Sequence, residues 1–276
     1  MVGTSTMIAV CVTLCVSLLL PIIVYIVYGI KNKGKGVWTA WLLGAAGFFV
    51  LQIVIRTPIL NVLALNQTFM TFATEHYVMY CFALALTAAL FEVIGRYVVA
   101  KLMAKNLTYE RSIAAGLGHG GIESIFIIGM TYINNLVYIM MINAGTFDTV
   151  VEQTAALGVD TSSLVAVKES LISSSPGLFL LAGYERILTM IVHVALSLVV
   201  CYFVSQKKDV LGIVICTICH CIIDFVAPMI NGMASEYMGN VLSTEVAYLV
   251  IYIFLTVVAV VSVFVIRTIK NKFDRR

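Results

Sequence analysis

A chain of 276 residues that is 61% hydrophobic and 11% charged, with mean hydropathy +1.04, excludes an ordinary soluble domain and fits a polytopic helical membrane protein. The net charge of +3 is small, and the basic residues sit in short loops and a tail without forming a basic face, so no nucleic-acid partner is expected. Seven cysteines (Cys11, Cys15, Cys81, Cys201, Cys216, Cys219 and Cys221) all fall within apolar runs and read as small hydrophobes, not as a disulfide framework.

Segment one runs from about Met7 to Ile30, with Pro21 inside it. It lacks a positive leader and is followed by Lys31, Lys33 and Lys35, so it reads as a retained span with its N-terminus outside. Segment two, Val37 to about Ile55, begins with the interfacial anchors Trp38 and Trp41. The stretch from Arg56 to His76 reads as a polar, mildly amphipathic outer loop. Segment three, Tyr77 to Met103, returns inward. Segment four, from near Arg111 to about Ala144, is long for one crossing. Gly116, Gly118, Gly120 and Gly121, then Asn134 and Asn135, predict a broken or strongly tilted helix. The polar insert Gly145 to Gly177 carries Asp148, Glu152, Asp160 and Glu169 against Lys168, with spacing that predicts one short amphipathic helix. Segments five (Leu178 to Val204), six (Val210 to Met229) and seven (Glu245 to Ile266) follow, then a tail with Arg267, Lys270, Lys272, Arg275 and Arg276. Placing most Lys and Arg inside gives seven spans, N-terminus out and C-terminus in. The expected fold is therefore all-α: one transmembrane domain over 1–276, with a functional core over 77–229.

Four segments carry ionisable residues in their interiors. Segment three has Glu92 and Arg96, segment four His119 and Glu123, and segment six His220 and Asp224, each pair four apart and hence on one helical face. Segment five has Glu185, Arg186 and His193, with Ser197 a turn beyond His193. A central charge costs at least ~2.5–3.5 kcal/mol in the bilayer, so such groups line a polar interior. At ~1.5 Å per residue from the basic inner ends, Glu92 lies at ~13 Å, Glu123 and His220 at ~18 Å and His193 at ~21 Å. These are similar middle depths in a core ~30 Å thick, and groups at one depth on separate helices can converge.

Carboxylates among imidazoles suit general acid–base work on water, with imidazoles donating to a developing oxyanion. A metal site of His119, His193 and His220 with a Glu ranks second, because no H-E-x-x-H pairing is present. Cys216-Thr217-Ile218-Cys219-His220 matches a haem-attachment pattern, but its mid-span position rules that use out. No cofactor is expected. Structural readings stand beside these: Glu92–Arg96 as a packing ion pair, Glu185–Arg186 as an interfacial pair, His193 as an interhelical donor, His220–Asp224 as a self-orienting pair. A proton-coupled permease is the rival from another class, and a non-catalytic binder using the outer insert is a third.

At these residues the sequence resembles the YhfC family of bacterial membrane proteins, which sits with the CAAX prenyl endopeptidase-like and PrsW-like intramembrane proteases. Glu92-x-x-x-Arg96 is similar to their first motif and Gly118-His119-Gly120-Gly121-Ile122-Glu123 to the second. His193-x-x-x-Ser197 and His220-x-x-x-Asp224-Phe225 are similar to the last two. The resemblance implies a multi-pass protein of the bacterial cytoplasmic membrane that cuts a membrane-embedded or membrane-associated peptide with water activated by Glu92. Arg96 would position that carboxylate. His193 and His220 would serve the oxyanion or the water, Glu123 and His119 the proton path, and Asp224 the segment-six histidine. Phe91 stands where many relatives have a second Glu, and both His119 and Glu123 are available for the second motif's role. A zinc-dependent mechanism is the alternative form of the same activity.

Overall fold

A computed structural model describes residues 1–273, so Arg275 and Arg276 of the basic tail lie outside the described residues. Seven helices are long and apolar enough to cross a membrane: Thr4–Lys31, Val37–Leu63, Tyr77–Leu102, Tyr109–Ala144, Pro176–Ser205, Asp209–Met233 and Thr244–Phe273. No strand occurs among the described residues. The protein is an all-α, multi-pass membrane protein. Its spans form because runs of Leu, Ile, Val, Ala and Phe satisfy their own backbone hydrogen bonds only as helices when water is absent.

Three local expectations change. The second span does not end at Ile55. It passes through a π-helical stretch, Phe49–Arg56, and continues to Leu63. Pro58 lacks the N–H that would close the preceding turn, and the wider π turn lies just ahead of it. Arg56 is therefore a helical residue rather than a loop residue; its guanidinium donates to the Leu84 carbonyl at 2.8 Å and to Thr87 Oγ1. The fourth span is not broken at its glycines or asparagines. It is helical from Tyr109 to Ala144, and its irregularity is a π-helical stretch at Ser124–Gly129. The outer insert holds two helices, Phe147–Ala156 and Ser162–Ser173, rather than one.

The chain folds as two compact units. One comprises Met1–Ile23 with Glu123–Ile187. Its core joins Val10, Tyr132, Ile139, Phe147, Leu171 and Phe179, which docks the insert helices by their apolar residues. The Phe179 carbonyl accepts from Thr13 Oγ1 at 2.7 Å and from the Tyr132 hydroxyl at 3.1 Å.

The other unit comprises Val24–Ile122 with the described residues from Leu188 onward. Its core includes Val93, Ala100, Met103, Ala115, Val200 and Cys216. Here the third and sixth spans pack most extensively. The fourth span approaches its neighbours too closely for side chains: a Cβ on Gly118 would stand 2.0 Å from the Trp41 carbonyl oxygen, and one on Gly116 2.6 Å from Val194 Cα. Those glycines stay helical because the close approach stabilises more than their conformational entropy costs. Of the two cysteines in the haem-like pattern, Cys216 is wholly buried, with its thiol on the Leu196 carbonyl, and Cys219 is exposed.

Candidate active site

The second compact unit gathers polar side chains from five spans onto one carboxylate. Glu92 and Arg96 share a face of the Ala- and Leu-rich third span, and Arg96 Nη2 donates to Glu92 Oε2 at 3.1 Å. Glu92 is 5% exposed, Arg96 3%, His119 1%, His193 5% and His220 2%, so the cluster is closed to solvent. His119 Nε2 lies 2.9 Å from Glu92 Oε2. His220 Nε2 and His193 Nδ1 stand 3.5 and 3.7 Å from the same oxygen. Asp224 Oδ2 is 3.3 Å from His220 Nε2 and is the more exposed member.

Small residues bring the rings together. A Cβ on Gly120 would lie only 3.0 Å from His193 Cβ, and across this contact the rings of His119 and His193 stack with centroids 5.3 Å apart. The Phe48 ring meets His119 edge-on at 5.1 Å. Ser197, one turn beyond His193, lines a small cavity against Arg96 and His119.

Arg96 also fixes the histidine tautomers. Its Nη2 is 2.6 Å from His193 Nδ1 and its Nη1 is 3.3 Å from His220 Nδ1. A guanidinium only donates, so both Nδ1 atoms present lone pairs, and the proton of each neutral ring sits on Nε2. His119 Nε2, facing a carboxylate oxygen, likewise donates.

This arrangement decides how well a metal fits. Glu92, His119 and His193 each offer a ligand atom within 4.8 Å of one another, and the donor types suit zinc. As arranged, however, the residues of this unit do not by themselves fit a zinc ion. The lone pairs of His193 Nδ1 and His220 Nδ1 are engaged by Arg96, His220 Nε2 carries a proton, and a permanent cation stands inside the ligand shell.

Within this unit the expected residues Glu92, Arg96, His119, His193, His220 and Asp224 come together. Glu123 belongs to the other compact unit. There Arg186 Nη1 donates to its carboxylate at 3.1 Å, and Arg186 also pairs with Glu185. The expected Glu185–Arg186 pair thus includes a third member.

Sequence reasoning missed Gln52. Its side chain is buried, and its Nε2 donates to Glu92 Oε1 at 2.8 Å. The available signal was an amide inside the apolar run Phe49–Ile55, four residues ahead of Arg56, repeating the spacing of the charged pairs.

The family described as YhfC intramembrane metalloprotease matches residues 16–247. Among curated proteins, the "Uncharacterized membrane protein YhfC" of Bacillus subtilis (strain 168) is similar: 30% identical over 210 residues, covering 75% of this chain and 79% of that protein. No solved structure gives a significant match.

Proposed function

Given that the chain belongs to the YhfC intramembrane metalloprotease family, and so is an intramembrane protease, we propose that it hydrolyses peptide bonds in or beside the bilayer with a water activated by Glu92. The observation that carries this reading is the single carboxylate oxygen, Glu92 Oε2, at which a guanidinium and three imidazoles converge. Burial removes competing water and strengthens the bonds that Arg96 and His119 donate to this oxygen.

The chemistry runs as follows. Glu92 Oε2 takes a proton from water as the water oxygen bonds to the scissile carbonyl carbon. The carbonyl electron pair becomes an oxyanion, to which His193 and His220 donate from protonated Nε2. The oxyanion collapses, the C–N bond breaks, and the proton held on Glu92 passes to the departing amine. Arg96 keeps the carboxylate ionised between turnovers and holds both imidazoles in the donating tautomer. His119 steadies Oε2 from the fourth span, and Asp224 holds the His220 Nε2–H in the resting site until that N–H turns to the oxyanion.

A zinc-dependent version is the second reading. The family's description and the closeness of the donor atoms favour it, and it requires Arg96 to withdraw from the cluster.

The activity itself is tested with purified protein in liposomes carrying a labelled single-span peptide. Two fragments cut within or next to the apolar stretch are expected by mass spectrometry. An intact peptide, with proton-driven uptake of a solute in its place, would contradict the reading.

A further inference from the structure

Gln52 is a buried amide in an otherwise apolar run of the second span, and all of its polar atoms face partners. Nε2 donates to Glu92 Oε1 at 2.8 Å and to the Ala88 carbonyl at 3.3 Å. Oε1 accepts from Arg56 Nη1 at 3.3 Å. An amide's oxygen and nitrogen are assigned from their surroundings, and here the surroundings leave one choice. Arg56 has only donors, so the amide oxygen must face it. Ala88 O and Glu92 Oε1 are acceptors, so the nitrogen must face them. Arg56 is itself held by the Leu84 carbonyl at 2.8 Å and by Thr87 Oγ1. Gln52 therefore spans one turn of the third span, from Ala88 to Glu92, and pins one carboxylate oxygen against that helix.

We propose that Gln52 is the positioning residue of this protease. It commits Glu92 Oε1 to the scaffold so that only Oε2 faces Arg96 and the imidazoles, and Arg56 acts through it by fixing the amide's orientation. The π-helical stretch contributes to this role. It adds a residue to the turn that carries Gln52 and Arg56, and π segments of this kind occur at functional sites. The inference rests on the reading of Glu92 as the base. The competing possibility is that Gln52 only ties the second span to the third. Interhelical glue and carboxylate positioning differ in what they move: glue moves stability alone, whereas positioning also moves kcat.

The test uses the full-length protein in liposomes. Gln52→Met keeps length and volume and removes both donors. It is expected to lower kcat roughly 10–100-fold, the usual loss when a buried orienting partner is removed, with KM within about twofold and a modest fall in the thermal midpoint. Arg56→Met is expected to lower kcat less. Combining the two should cost no more than Gln52→Met alone, because one acts through the other. Wild-type kcat in folded Gln52→Met, or additive losses in the double variant, would overturn the proposal. If Gln52→Met does not fold, Gln52→Leu removes the same donors in a different apolar shape and adds no charge. A comparable kcat loss is expected there, and full kcat would overturn the proposal. Full activity in Glu92→Gln would instead overturn the underlying reading. An inactive Glu92→Gln beside a fully active Gln52→Met would overturn the positioning role alone.

Discussion

Glu92→Gln is expected to lower peptide cleavage by roughly 10²–10⁴-fold, the range that a positioned general base supplies, while the protein still folds. The carboxamide fills the same space, and its oxygen still accepts from Arg96 and His119. What it loses is the ability to take a proton from water. Its NH₂ must also face Gln52 Nε2, which is a donor, so one buried contact becomes donor against donor. A modest fall in thermal midpoint should therefore accompany the loss of activity. Measuring both on one preparation separates chemistry from folding. A variant that folds and cleaves at the wild-type rate would remove Glu92 from the mechanism.

The second large effect falls on stability. Arg96→Met leaves the Glu92 carboxylate buried without its cation, an imbalance that costs about 3–5 kcal/mol when one partner of a buried pair is removed. The loss also releases His193 Nδ1 and His220 Nδ1 from a shared donor, so both tautomers of those rings become accessible. Arg96→Met should unfold at markedly lower temperature in detergent and lack activity. The double variant Glu92→Gln/Arg96→Met should recover most of the lost stability and none of the activity, since the uncompensated charge is gone while the base is absent. Equal stability in Arg96→Met and the wild type would show that the guanidinium does not neutralise the carboxylate.

Much of this organisation was legible in the sequence because two physical signals are strong. Long apolar runs dictate helices wherever water is absent, which placed all seven spans to within a few residues except at the ends of the second and the seventh, which runs on to Phe273. Charges in such runs are costly enough to demand partners, and spacing by four puts each pair on one face. The Glu92–Arg96 and His220–Asp224 pairs both follow that rule.

Other features depended on tertiary partners that spacing does not encode. Arg56 looked like a span boundary because a charge usually marks one, yet the Leu84 carbonyl and Thr87 hydroxyl let the helix continue past it. The glycines of the fourth span read as a break, a tilt or points of close helix approach, and their spacing alone does not choose among these. They serve as contact points, where Trp41 and Val194 come too close for a methyl group. Glu123 pairs with Arg186, a partner that its four-residue spacing from His119 does not reveal. Gln52 carried no charge to draw notice, and its role is visible only once Glu92 Oε1 lies beside it.

The central claim is that the Glu92 carboxylate activates water with its charge balanced by Arg96. The most direct test is the cleavage rate of the reconstituted wild-type protein before and after exhaustive chelation, with bound metal quantified in the same samples. The account predicts an unchanged rate and no stoichiometric metal. Loss of cleavage on chelation, restored by one equivalent of zinc, would contradict it.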